Sequence, residues 1–443
     1  MFSRKQIWAL LIPLMIEQVL ASLMGTVDTM MVSNAGQVAM AAVSLVDTVN
    51  VLIIYVFSAL ATGGAIVCAQ YLGRKELKEA NDTARQLILA VGAISIATML
   101  VFVLLREPLL KLIFGQVEAQ VMEDAKVYLL ITALSYPCIA LYNAGAALFR
   151  VDGNSRLPMT ISMISNGINI VGNAILIFGF GMGAAGAAIA TLASRAFCMV
   201  MVLGALRQPK QNIVVRDYRR IRPQPKRILN ILAIGIPSGI ENGMFQFGKL
   251  AIQSTVSMLG TTAIAAQAMT AVMESFASHA QVGIELGLMT IVGQCMGAGR
   301  VDEAKRYIRK LTGYSEIATI IACALAALLA RPVAVIANME PAAADLMCTM
   351  VYAFCIVKPL VWTLSFTPAY GFRAAGDVRF SMIVSTITMW SCRVVVAIVC
   401  MRVLKTGPIG VWIGMFADWT VRAVIFSHRY FSMKWATKKV IRA

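Results

Sequence analysis

The chain has 443 residues, of which 59% are hydrophobic and 14% charged, with a formal net charge of +17 and a mean hydropathy of +0.76. A soluble domain is about 45–50% apolar and about 25% charged, so this composition excludes an ordinary soluble globule. The apolar runs lack the period-2 alternation of an outer-membrane barrel. No GxxxxGK[ST] loop is present, which excludes a P-loop ATPase.

The runs are each long enough to cross hydrocarbon as a helix of about 20 residues. They predict an all-α polytopic membrane protein of about twelve helices, at 7–32, 40–71, 82–105, 123–148, 157–180 and 184–206 in a first half, then 228–258, 262–295, 306–330, 343–371, 380–401 and 409–431 in a second. The first run contains Glu17 and Asp28 and exceeds a signal h-region, so it reads as a retained helix. Lys and Arg gather at alternate connections. They occur at Arg4 and Lys5, at Arg74, Lys75, Lys78 and Arg85, at Arg150 and Arg156, and densely in 207–227, which includes Arg219 and Arg220. Arg300 to Lys310, Arg373, Arg379 and a tail ending in Arg442 continue the series, while 33–39, 181–183 and 259–261 carry none. This positive-inside pattern predicts that both termini are cytoplasmic. The basic balance thus reports topology and contact with anionic lipid headgroups, and no nucleic-acid partner is expected.

The chain also repeats itself. Pro13, Glu17, Gly36 and Gln70 recur as Pro237, Glu241, Gly260 and Gln294; 241 minus 17 and 294 minus 70 both give 224. Phe149, Arg150 and Gly153 recur as Phe372, Arg373 and Gly376, one residue closer. Residues 1–206 and 228–443 therefore read as two six-helix bundles joined by the polar, basic segment 207–227. An even helix count gives both halves the same orientation, with a pseudo-two-fold axis along the membrane normal. Such duplications are a mark of secondary transporters whose substrate site lies between the repeats.

Charges at membrane depth are the candidate functional groups, because each costs about 2.5–3.5 kcal/mol at a helix centre. Seven acids (Glu17, Asp28, Asp47, Glu241, Glu274, Glu285, Asp418) face five bases (Arg195, Lys249, Lys358, Arg393, Arg422). Asp28 can meet Asn169 and Asn173, which are four apart and share a helix face, and Thr191 on the next helix. These oxygens suit a proton or a small hard cation; an interhelical hydrogen-bond network is the structural alternative. Glu17 and Glu241 follow Pro13 and Pro237 by one turn. They are read either as cavity acids that attract a cationic substrate or exchange protons, or as partners of Lys249, Lys358 or Arg393. Glu274 and Glu285 share a face of the eighth helix, with Lys249 the expected partner of Glu274. Asp418, Arg422 and Arg195 are expected to snorkel or cap near helix ends. Trp362, Trp390, Trp412 and Trp419, with Phe247, Phe366 and Tyr370, supply aromatic faces for flat organic cations, although core packing explains aromatics equally well. The two histidines, His279 and His428, are far apart and the nine cysteines show no CxxC spacing, so no cofactor and no enzyme chemistry are expected.

VDTMMVSNAG (27–36), AQYLGRKELKEA (69–80), ALFRVDGNSRLPM (147–159), NIVGNAILIFGFGMGAAGAAIAT (169–191) and GFRAAGDVRF (371–380) resemble the multidrug and toxic compound extrusion (MATE) family, bacterial type, along essentially the whole chain. The resemblance implies two six-helix lobes in a V and alternating access. It implies export of small organic cations from the bacterial cytoplasmic membrane in exchange for H+ or Na+, with a monomer expected. It places the ion site on Asp28, Asn169, Asn173 and Thr191, and a helix-7 acid on Glu241. Many relatives have a second Asp where this chain has Asn173, which removes one negative charge. The helix-10 acid of some relatives has no counterpart between Lys358 and Arg373. Arg393 resembles a helix-11 arginine with a structural role. A flippase of lipid-linked precursors, in the same fold superfamily, is the competing expectation. An excess of intramembrane acids argues for a cationic substrate instead.

Overall fold

The computed structural model describes residues 1–115, 118–218, 221–438 and 440. Arg219, Arg220 and Arg442, which contributed to the basic pattern, lie outside the described residues. Helices dominate. In the first half they are α1 (Arg4–Ser33), α2 (Gln37–Gly73), α3 (Leu77–Leu104), a short α4 (Arg106–Phe114), α5 (Ala119–Leu134), α6 (Tyr136–Val151), α7 (Arg156–Asn173) and α8 (Gly183–Leu206). In the second they are α9 (Pro225–Val256), α10 (Thr261–Gly297), α11 (Val301–Ile336), α12 (Pro341–Ala374), α13 (Val378–Thr388), α14 (Val396–Arg402) and α15 (Ile409–Phe431). Among the described residues, ten helical spans are long and apolar enough to cross a membrane. The pair α5 and α6, bent by 41°, makes an eleventh. The polar residues Gln267, Glu274, His279, Gln281 and Glu285 leave α10, also a long helix, outside that set. Leu104, Leu328 and Val335 are among the large apolar side chains left exposed on the helices, as lipid contact requires.

Three local departures from the expected helices have physical causes. The span expected at 123–148 is broken at Ser135, where Pro137 sits in the first turn of α6 and supplies no backbone N–H. After Asn173 the chain widens into a π-helical segment, Ala174–Gly179. A second wide segment, Met389–Val395, separates α13 from α14. Wide turns of this kind are frequent at functional sites.

The repeat has a backbone basis. Gly36 (φ 110°) and Gly260 (φ 94°) precede α2 and α10, and Gly153 (φ 87°) and Gly376 (φ 99°) follow α6 and α12. A positive φ of this size strains any residue with a Cβ, so both copies retain glycine.

The chain divides into two compact units, Trp8–Gly239, and Ile240–Ala443 together with Met1–Ile7. The division falls inside α9, just past the helix-interior Pro237. The N-terminal segment is tied into its unit by the Met1 ammonium on Glu303 Oε2 at 2.5 Å and by the Phe2 N–H donating to Tyr307 Oη at 2.9 Å. The basic connection is docked on α3: Val214 N donates to Asn81 Oδ1 at 2.6 Å, Gln224 N to Gln86 Oε1 at 2.8 Å, and Arg227 pairs with Glu79 at 2.6 Å. Ile213 and Val215 are fully buried there, so this polar stretch carries its own apolar anchors.

The core of the first unit is built on Phe57, Leu60, Tyr136, Ala144 and Phe149 with the small residues around them. That of the second centres on Phe354, Trp362, Trp412 and Trp419. Close approach depends on glycine. A Cβ on Gly63 of α2 would lie 2.7 Å from both Gly235 N and Ile231 O of α9. Backbone on the far side leaves no flexible atom to yield. Gly63→Val should therefore destabilise the folded protein by about 1–3 kcal/mol, read as an earlier thermal transition in detergent.

Candidate functional site

The first unit brings the predicted oxygen cluster together. Asn173 Nδ2 donates to Asp28 Oδ1 in a short contact and to Asn169 Oδ1 at 3.3 Å, and Asn169 Nδ2 donates to Thr191 Oγ1 at 3.4 Å. The spacing of Asn169 and Asn173 on α7 puts both amides on one face toward α1 and α8. Asn173 is fully buried, and its Oδ1 has no hydrogen-bond partner. A buried amide oxygen left unpaired costs about 1–3 kcal/mol unless something satisfies it. Here it belongs to a side chain that already bonds the Asp28 carboxylate.

Two groups near this cluster were not assigned to it from sequence. Asp47 Oδ1 accepts from Tyr128 Oη at 3.1 Å and from Asn50 Nδ2 at 3.1 Å, and Asn50 Oδ1 accepts from Tyr136 Oη at 2.8 Å. Arg195, expected to snorkel or cap, instead donates to Ser135 Oγ at 2.8 Å, at the bend between α5 and α6. Asp47 and Arg195 are both electrostatic neighbours of Asp28. The first-unit set thus holds two carboxylates against one guanidinium.

Glu17 and Glu241 depart from expectation in a matched way. Glu17 pairs with Arg150 at 2.8 Å and Glu241 with Arg373 at 2.6 Å, each within its own half. The expected partners Lys249, Lys358 and Arg393 are not used. In both pairs the carboxylate Oε2 and the arginine Nε lack hydrogen-bond partners, so the two copies share one geometry. The duplication has preserved an ion pair, and the arginines are the repeated Arg150 and Arg373 themselves. Counting them at membrane depth gives seven acids and seven bases, which removes the excess of acids. Glu17→Gln or Arg150→Met alone should destabilise by about 3–5 kcal/mol, because each leaves its partner's charge buried. The double variant should lose clearly less than the sum, in an unfolding double-mutant cycle. Additive losses would mean the pair is uncoupled.

In the second unit the partner of Glu274 is Lys358, at 2.8 Å, with Ser278 Oγ donating to the same carboxylate at 2.7 Å. Lys249 instead lies over the Phe245 ring, its nitrogen 5.1 Å from the centroid, with Glu274 only an electrostatic neighbour. Lys358 wins because its fully buried ammonium reaches Glu274 from α12, which packs along α10. Glu285 is buried and accepts from Thr367 Oγ1 at 3.2 Å, and Thr367 also bonds Ser315 Oγ at 3.1 Å. Asp418, expected near a helix end, is fully buried between Arg393 and Arg422, each at 2.9 Å. Arg393 thus has the structural partner that the sequence did not identify. Phe366 and Tyr370, considered as faces for an organic cation, already carry the guanidinium groups of Arg422 and Arg373, each 4.8 Å from its ring. Trp412 and Trp419 belong to the core, and Trp412 Nε1 donates to Gln267 at 3.1 Å. His279 Nδ1 is engaged by the Ser275 carbonyl.

A family model described as MatE matches residues 13–175 and again 237–399, more than half of the chain. The chain belongs to the MatE family. The two matched segments are offset by 224 residues, the interval of the internal repeat. The chain is 28% identical over 436 residues to the uncharacterized transporter YisQ of Bacillus subtilis, covering 96% of this chain and 94% of that one. It is 27% identical over 443 residues to the probable multidrug resistance protein NorM of Thermotoga maritima, covering 99% and 94%. Among solved structures, an outward-facing multidrug resistance MATE transporter of the MOP superfamily aligns with TM-score 0.89 at 21% identity, covering 97% of this chain and 96% of that one. A MOP superfamily transporter from Pyrococcus furiosus aligns with TM-score 0.88 at 21% identity, covering 98% and 97%. These two show the fold. As a MatE protein the chain is a multi-pass membrane transporter of the multidrug efflux family and not an enzyme.

Proposed function

We propose that this MatE protein is a secondary antiporter that exports small organic, cationic compounds in exchange for H+ or Na+, with the coupling ion held at Asp28, Asn169, Asn173 and Thr191. The observation that carries the reading is the hydrogen-bonded set around Asp28, with a buried amide oxygen left unpaired beside a carboxylate. Carboxylate, amide and hydroxyl oxygens suit a hard monovalent ion or a proton. Asp28 and Asp47 against Arg195 give the first unit a negative local balance that favours a cationic compound. The positive connections orient both termini to the cytoplasm in the cytoplasmic membrane and hold them against anionic headgroups. The protein acts as a monomer by alternating access, with no cofactor beyond the ion.

Counterflow in proteoliposomes tests this. A dye cation such as ethidium should accumulate inside the vesicles when either an outward proton gradient or an outward sodium gradient is imposed, and the effective gradient identifies the ion. Accumulation that ignores both gradients would overturn ion coupling.

A further inference from the structure

The second unit has a different electrical character from the first, on the same duplicated scaffold. At the repeat interval of 224, Lys249, Glu274 and Arg393 stand where the first half has Gly25, Asn50 and Asn169. Besides the buried Glu285, which neighbours Lys358 and Arg373, the cluster sets the four positive charges of Lys249, Lys358, Arg393 and Arg422 against the two carboxylates of Glu274 and Asp418. Both carboxylates are already committed. Asp418 serves two arginines, and Glu274 serves Lys358 and Ser278. Lys249 has no ion-pair partner among the described residues.

Its placement is built rather than incidental. A Cβ on the neighbouring Gly248 would lie 3.1 Å from Met389 Cγ, so α9 passes tightly against the wide turn that carries Arg393. Phe245, one turn before Lys249, holds the Lys249 ammonium at 5.1 Å and the Arg393 guanidinium at 4.8 Å from the same ring. The electrostatic neighbours of Lys249 are Glu274 and Arg393. Arg393 is buried, whereas Lys249 is exposed, so Lys249 forms the open edge of a cluster with surplus positive charge. Of the two like charges sharing this ring at membrane depth, Arg393 is paired with Asp418, whereas Lys249 has only Glu274 as a more distant electrostatic neighbour, so the Lys249 ammonium is the one open to a further anion. The Trp362 and Phe366 rings, stacked 5.0 Å apart, belong to the same unit and bear Lys358 and Arg422 on their faces.

We propose that Lys249, backed by Arg393 and Phe245, forms a recognition site for the carboxylate of an aromatic substrate. The inference rests on the exporter reading and narrows its substrate class: compounds that pair an organic cation with a carboxylate are preferred over those with the cation alone. Lys249 makes a charge-assisted contact with the carboxylate, and Arg393 contributes its field from behind the ring.

Rhodamine B and its methyl ester make the test, since they differ only in whether the carboxylate is free. The full-length protein in phosphatidylcholine nanodiscs should bind rhodamine B about tenfold more tightly than the ester, by fluorescence titration. Lys249→Gln should erase that preference while leaving ester affinity unchanged, and Lys249→Arg should restore it. Equal binding of the two dyes by the unaltered protein overturns the site without any variant. So does a preference that survives Lys249→Gln. Repeating the titration with phosphatidylglycerol in the discs separates the sources of the anion. If that lipid removes the preference in the unaltered protein, the occupant is a headgroup and the substrate assignment fails. Export from cells keeps the two readings apart: export of neither dye sinks the exporter reading alone, whereas export of both without a binding preference sinks only the carboxylate site.

Discussion

Asp28→Asn should reduce gradient-driven dye efflux in proteoliposomes to the level of vesicles without protein. The substitution is nearly isosteric and keeps an oxygen to accept from Asn173, so the helix packing that this contact fixes is retained. What it removes is the charge and the titratable group. A proton or Na+ held there loses its only formal counter-charge within the hydrogen-bonded set, because Asn169, Asn173 and Thr191 are all neutral. The thermal transition in detergent should move little, which separates loss of coupling from loss of fold. Asn173→Ala leaves the carboxylate but removes a supporting amide, and apparent ion affinity should fall about 10–100-fold, as for other groups that orient an ion's ligand. Unchanged efflux by Asp28→Asn would exclude Asp28 as the coupling residue and return the cluster to a purely structural role.

Asp418→Ala should have the largest effect on stability. Asp418 is fully buried and neutralises both Arg393 and Arg422 at 2.9 Å. Its removal leaves two guanidinium groups in the core of the second unit without their carboxylate, and Arg422 keeps the Phe366 ring and a long hydrogen bond of 3.4 Å to the Ser385 carbonyl. Breaking a buried pair from one side costs about 3–5 kcal/mol, and here two pairs break at once. Thermal unfolding followed by fluorescence-detected size exclusion should show the loss as an early collapse of the monodisperse peak. Replacing the whole triad, with Asp418→Leu, Arg393→Met and Arg422→Met together, should recover much of the stability, since no charge then remains to be buried. Equal damage from the single and the triple variant would show that shape, not charge, holds this part of the core.

Much of the fold was legible because it depends on patterns the chain displays twice. Apolar runs marked the long helices, though not the short α4 or the break at Ser135, and the glycines that recur at the repeat interval mark backbone that turns with positive φ. The Asp28 set was legible because an i, i+4 amide pair must share a helix face. The ion pairs were harder. Arg150 and Arg373 appear in the repeat, yet they sit at helix ends among other basic residues and read as topology signals. Only packing shows that their side chains turn back to Glu17 and Glu241. Lys249, on the helix before Glu274, is a plausible partner in the sequence, whereas α12 brings Lys358 to Glu274 at 2.8 Å. Asp47 illustrates the limit most plainly. Its partners Asn50 and Tyr128 lie on α2 and α5, and no spacing in the sequence announces that these two helices pack together.

The wide segments after Asn173 and around Arg393 act as phase shifters. A helix advances about 100° per residue, so one residue of widening turns everything beyond it onto a new face without bending the axis. In α7 this lets Asn169 and Asn173 face Asp28 while Ile177, a few residues on, faces the apolar core beside Val32, Val43 and Leu129. At this point in the chain, residue number matters more than residue identity. Apolar exchanges within Ala174–Gly179 should be absorbed, whereas a deletion of a single residue there would rotate the end of the span against the Asp28 cluster and misdirect one or the other.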